Sequence, residues 1–308
     1  MPITHAPENV QAAGHKWRTL WLLALAELLA MSLWFSASAV APQLTVAWAL
    51  TSGQQAWLTM SVQIGFVVGA LASTLLTLAD RVPAQRLFAA SAVAGALLNG
   101  AIALWAPAPT PAMALRFLTG MALAGVYPPG MKLMASWTER DRGLGIGILV
   151  GALTIGSATP HLLGAVSIFG GATGIPPWRA VLLSASALAL IAALLVAFFV
   201  RPGPLLATSA PFDWRYAGHA LSDRPVRLAN FGYLGHMWEL FSMWTWISVF
   251  LLASFQATNQ ATIWGFSTEA AASLMTFLAI AASGPSSLAA GWFADRLGRS
   301  RITIIALV

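Results

Sequence analysis

Cysteine is absent from this chain, and charge nearly so. Without cysteine there is no disulfide framework, no thiolate metal site and no cysteine nucleophile. Charged residues make up 8% of 308, where an average soluble protein carries roughly 25%. Apolar residues are 58% of the chain and the mean hydropathy is +0.75. A soluble domain with so little polar surface could not cover itself, so lipid is the solvent for much of the chain. Motifs are missing too. No Gly-x-x-x-x-Gly-Lys-Ser/Thr phosphate loop is present, so ATP does not drive this chain directly. There is no His-Glu-x-x-His metal motif, and no spacing proposes a nucleophile–base pair. Neither enzymatic activity nor a cofactor or metal is expected. The net charge of +6 and pI near 10.8 suggest nucleic acid, but nearly all the arginine falls in short loops between apolar runs. With no basic helix face and no aromatic RNA motif, a nucleic-acid partner is excluded.

What is present is a series of apolar runs, each near the ~20 residues that cross a bilayer as helix. They lie near 18–40, 56–79, 87–105, 112–136, 143–168, 179–200, 227–254 and 269–293. A ninth begins at Ile302. Lys16 and Arg18 precede the first run. Arg81 and Arg86, Arg140 and Arg142, a cluster from Arg201 to Arg227, and Arg296, Arg299 and Arg301 occupy every second loop thereafter. The alternate loops carry no Lys or Arg, with only Arg179 at one margin. The positive-inside rule therefore predicts a cytoplasmic N-terminus. The expected fold class is an all-α polytopic membrane protein with about eight complete spans. Residues 1–17 form an N-terminal tail and 18–200 a six-helix bundle. Residues 201–226, with Pro202, Pro204, Pro211 and Pro225, form a cytoplasmic linker, and 227–308 a partial second bundle.

A charged turn occurs twice. Ala79-Asp80-Arg81 is followed by Arg86 and Leu87, and Ala294-Asp295-Arg296 by Arg301 and Ile302. Six spans separate the copies, so both lie at one end of the molecule, in equivalent places in two related halves. The second copy, Gly291-x-x-x-Asp295-Arg296-x-Gly298-Arg299, resembles the loop signature of the major facilitator superfamily. In the first copy Leu76 stands where the glycine would be and Pro83 replaces the second glycine. Arg116-Phe-Leu-Thr-Gly120 resembles the family's fourth-span signature, and Gly147, Gly156 and Pro160 match part of its fifth-span antiporter pattern. His161 stands where that pattern would continue, so antiport is not supported. The resemblance covers the whole chain and implies six plus six helices with a cytoplasmic linker, here truncated after the start of the ninth. It also implies no nitrate transport, because the second and eighth spans lack the arginine of nitrate porters.

Ionisable residues within spans are expensive, roughly 2.5–3.5 kcal/mol each on insertion scales, and so become site candidates. Glu27, Met31, Trp34 and Ser38 fall at helical spacing on the first span, a semi-polar stripe suited to a cavity. Arg116 enters the fourth span, where the resemblance implies proton coupling, and Glu27 is its expected carboxylate partner. Pro128-Pro129-Gly130 predicts a kink or break ahead of Lys132. On the seventh span His236 and Glu239 are three residues apart and share a face, a pairing able to hold and pass a proton near neutral pH. His161, beside Pro160, is a weaker candidate. Asp80, Arg81, Arg86, Gly291, Asp295, Arg296, Gly298 and Arg299 form the conformational loop motifs. Gly143, Gly147 and Gly151, and Gly65 and Gly69, mark faces for close helix approach.

The expected function is secondary active transport of a small solute across the inner (cytoplasmic) membrane by alternating access, with proton-coupled symport of a small organic anion favoured by Arg116. A drug-type exporter, a non-transporting membrane sensor and a non-functional fragment are the alternatives. Protons, the solute and the bilayer are the expected partners, and the protein is expected to be a monomer.

Overall fold

A computed structural model describes residues 8–166, 178–206, 218, 221–260 and 262–307. The first half contains α1 (Glu8–Met31), α2 (Ser36–Ala39), α3 (Ala41–Trp48), α4 (Ser52–Leu75), α5 (Leu78–Arg81), α6 (Ala84–Trp105), α7 (Pro109–Leu123), α8 (Tyr127–Trp137), α9 (Arg142–Ala165) and α10 (Trp178–Phe199). After residue 221 come α11 (Arg224–Gln256), the two-residue strands β1 (Thr262–Ile263) and β2 (Phe266–Ser267), α12 (Thr268–Ala281), α13 (Ser283–Leu297) and α14 (Arg299–Leu307). Over its described residues each of the eight apolar runs is mainly helical. Among the described residues, six helical segments are long and apolar enough to cross a membrane: α4, α6, α9, α10, α11 and the joined α12–α13. The first and fourth runs are each broken into shorter helices.

Local chemistry places the boundaries. Thr51 and Gln54 form a reciprocal capping box at the start of α4, and Asp223 accepts from Val226 N at the start of α11. Each such cap is worth about 1 kcal/mol. The break between α7 and α8 spans 124–126, and Pro128 falls in the first turn of α8, where its missing N–H costs nothing. The break after Met31 has no proline or glycine to announce it. Helix α1 also begins well inside the expected N-terminal tail. The hairpin β1–β2 departs from an all-α chain: Trp264 and Gly265 both take positive φ, the geometry of a tight two-residue hairpin turn. Further on, the eighth run divides at Ala282, ahead of Ser283-Gly284-Pro285.

Packing centres on α9, which meets α1 on one side and α12 and α13 on the other. Elsewhere α4 lies against α7, α6 against α10 and α7, and α1 against α10. Small residues set these distances. A Cβ on Gly69 would stand 2.6 Å from the Met121 carbonyl of α7, so the two backbones touch directly. The main core runs through Leu20, Leu23, Met31, Phe35, Phe88, Leu123, Leu149, Ala189 and Val196, all fully enclosed or nearly so. By contrast α11 buries one stripe through Trp244 and exposes most of the rest.

Candidate functional site

The break after Met31 turns the carbonyls of Leu33 and Trp34, between α1 and α2, out of a regular helical ladder. Arg116, on α7, fills that gap and is itself fully buried. Its Nη1 donates to Leu33 O at 2.8 Å and to Ser36 Oγ at 3.3 Å. Nη2 donates to Trp34 O, and Nε–H reaches Leu58 O at 3.5 Å. A planar guanidinium suits such a cluster of acceptors, and its charge opposes the negative end of the helix dipole. The network continues inward. Ser36 Oγ donates to Asn99 Oδ1 at 2.7 Å, and Asn99 Nδ2 donates to Leu182 O at 2.9 Å and Ser186 Oγ at 3.0 Å. One chain of polar contacts thus joins α7, α2, α6 and α10.

Arg116 does not meet Glu27. Among the described residues the single salt bridge is Lys16–Asp141, and neither carboxylate oxygen of Glu27 has a hydrogen-bond partner. The expected pair fails because the break beyond Met31 presents carbonyls to the arginine first. Glu27 is fully buried. A Cβ on Gly130 of α8 would stand 2.7 Å from its Oε2 and 3.6 Å from Phe88 Cε2. A side chain at position 130 would leave no room for this carboxyl, and Gly130 leaves it.

Toward the end of the molecule opposite the arginine-rich loops, aromatic rings join the two halves. Trp34 stacks on Phe241 of α11 at 5.7 Å and 18°, and meets Phe66 of α4 at 5.0 Å. Trp244 packs edge-on against Phe35 and Phe241. The indole N–H of Trp34 is buried without a partner. His161 is likewise enclosed on α9, with neither ring nitrogen bonded.

At the arginine-rich end the halves meet along a glycine seam. Gly143 lies against Gly291, Gly147 against Ser287, and Gly151 against Gly284. Asp295 closes this seam: Gly143 N donates to its Oδ1 at 2.8 Å and Leu144 N to its Oδ2 at 2.9 Å. The carboxylate therefore satisfies two free N–H groups at the positive end of α9. Arg296 turns back over Trp292, 3.5 Å from the ring centroid, and donates to Trp292 O at 3.1 Å. Gly298 takes φ 93° after the last turn of α13, a conformation that other residues adopt only with strain. Arg299 is exposed, as are Arg81 and Arg86 of the first turn. The side chain of Asp80 lies outside the described residues.

His236 and Glu239 share a face of α11 as their spacing requires, but both are exposed and form no ion pair with each other. The sequence reading missed Asn99 and Ser36. A signal existed for Asn99, an amide in the middle of an otherwise apolar run. None existed for Ser36, whose role depends on the break beside it.

The profile of the Major Facilitator Superfamily matches residues 23–308. The chain belongs to that superfamily, a class of multi-pass helical membrane proteins. Solved structures agree at the level of fold. A bacterial homologue of the human lysosomal transporter Spinster, inward-facing and unoccupied, is similar at TM-score 0.57 and 17% identity, with 90% of this chain aligned to 60% of that one. The proton:xylose symporter XylE, bound to 6-bromo-6-deoxy-D-glucose, is similar at TM-score 0.61 and 14% identity, with 92% of this chain aligned to 70% of that one. The chain thus spans about three fifths of the first protein's length. No curated protein matches the sequence.

Proposed function

We propose that this chain is part of a secondary active transporter that moves a small solute by alternating access between two sets of helices. In this reading all eight apolar runs cross the cytoplasmic membrane, including the broken α1–α2 and α7–α8, and the arginine-rich end is cytoplasmic. The observation that carries it is the Asp295 contact. A carboxylate from α13 caps α9, 151 and 152 residues away in sequence, at the end of a seam of small residues. Two hydrogen bonds to a helix end can form and break as a unit, as a cytoplasmic latch must. Aromatic stacking of Trp34 on Phe241 closes the other end in this conformation.

Proton coupling is assigned to Glu27, an enclosed carboxyl without a fixed partner. His161 and the exposed pair His236 and Glu239 are secondary proton or solute contacts. Symport of an organic anion rested on Arg116, whose guanidinium is taken up by backbone carbonyls, so the anion reading loses its strongest support. The aromatic cluster favours a second reading, export of an apolar organic cation held against π-faces. The test is uptake of a labelled solute panel into proteoliposomes under an imposed pH gradient. Asp295→Ala is expected to lower uptake several-fold while the membrane content of the protein is unchanged. Unaltered uptake would remove the latch from the mechanism.

A further inference from the structure

Helix α9 has a cap residue of its own that does not cap. Asp141 is the N-cap residue: its carbonyl accepts the first helical bond, from Gly145 N at 3.0 Å. In that position an aspartate ordinarily accepts from the N–H groups two and three residues on. Those groups are Gly143 N and Leu144 N, the two that Asp295 occupies. Asp141 instead points away. Its backbone sits at φ −106° and ψ 32°, outside the extended region, and its side chain makes no cap bond. Lys16 of α1 holds it, with Nζ 2.6 and 2.9 Å from the two carboxylate oxygens.

We propose that Asp141 and Asp295 compete for the same two N–H groups, and that Lys16 decides the competition by holding Asp141 off. With Lys16 bound to Asp141, the end of α9 is open to Asp295 and the two halves are joined. When Asp295 leaves, α9 would otherwise expose two N–H groups. Rotation of ψ at Asp141 toward the extended value brings its own carboxylate onto them, so the parted state has a cap as well. Lys16 and Asp141 are then positioning residues for the conformational cycle, acting through Asp295 and not on the solute. The inference rests on the two-state reading above.

An ordinary surface ion pair predicts the same result whichever partner is removed; a competition predicts opposite results. The chain lacks cysteine, so spin labels can be placed at Glu139→Cys and Ser300→Cys, exposed sites on either side of the seam. Distance distributions are then read by pulsed electron spin resonance on the protein in lipid nanodiscs. Lys16→Ala frees Asp141 and should shift the ratio of near to far populations about fivefold toward far, the effect of one cap. Asp141→Asn, which caps but binds Lys16 weakly, should shift it the same way. Asp141→Ala, which cannot cap, should shift it toward near, and Lys16→Ala added to it should change nothing. Opposite shifts from two substitutions at one position cannot come from misfolding. Equal shifts from Asn and Ala, an effect of Lys16→Ala that persists without Asp141, or no shift at all would each overturn the competition. Asp295→Ala serves as the control for the latch itself. If it leaves the distances unchanged, the two-state reading fails and not merely the role of Lys16.

Discussion

Arg116 and Glu27 are both fully buried, yet their surroundings differ completely. The arginine has acceptors in three backbone carbonyls and a hydroxyl, whereas the carboxylate has no partner. Burial of charge alone therefore says little about role. A buried ion whose donors are all directed at fixed backbone groups belongs to the scaffold, because moving it strands several acceptors at once. A carboxyl group without partners adds no bond to the scaffold and keeps its freedom to change state. The fourth-span signature thus holds a broken helix together, and the unpaired carboxyl is left for chemistry.

Substitutions can break this contrast. The largest effect is expected at Arg116: replacement by Leu removes the donor to the carbonyls between α1 and α2 and should cost about 3–5 kcal/mol. Thermal unfolding in detergent would report it as a severe loss of folded protein, with Arg116→Lys intermediate because it lacks the planar fork. Asn99→Leu should cost roughly 1–3 kcal/mol, since it removes bonds to α2 and α10 worth about 1 kcal/mol each and leaves their partners enclosed. Its melting temperature should fall while the pH dependence of uptake keeps its shape. Glu27→Gln should alter stability least, by about 1 kcal/mol or less. Yet it should abolish the acceleration of uptake that acidification of the outer side produces in the parent protein. If Glu27→Gln unfolds the protein, or Arg116→Leu only flattens the pH profile, the assignments are reversed.

Much of the helical layout was legible because bilayer thickness dictates run length and arginine marks the loops. Pro128 announced the break in the fourth run, and the four-residue spacing of Gly143, Gly147 and Gly151 announced the face that meets α13. Legibility ended where a contact depends on residues far apart. Nothing near Met31 signals that α1 stops there, because the carbonyls it leaves are answered by Arg116, more than eighty residues on. The second charged turn stood out by its repeat, but the repeat does not say what the turn bonds to: Asp295 meets two N–H groups of α9, and Arg296 lies over Trp292. His236 and Glu239 show the opposite error, since sharing a helix face brings two side chains near without making them a pair.

The glycine seam has a mechanical consequence. Its levels repeat about every four residues on both helices, and α9 and α13 run in opposite directions. A slide of one turn, about 5.4 Å, would bring Gly143 opposite Ser287 and Gly147 opposite Gly284, small residue again upon small residue. The same slide would carry Asp295 off the end of α9. With Ile155 and Leu288 the large side chains set against its glycines, such a track presents few knobs to lift over holes and favours translation along its length over tilting.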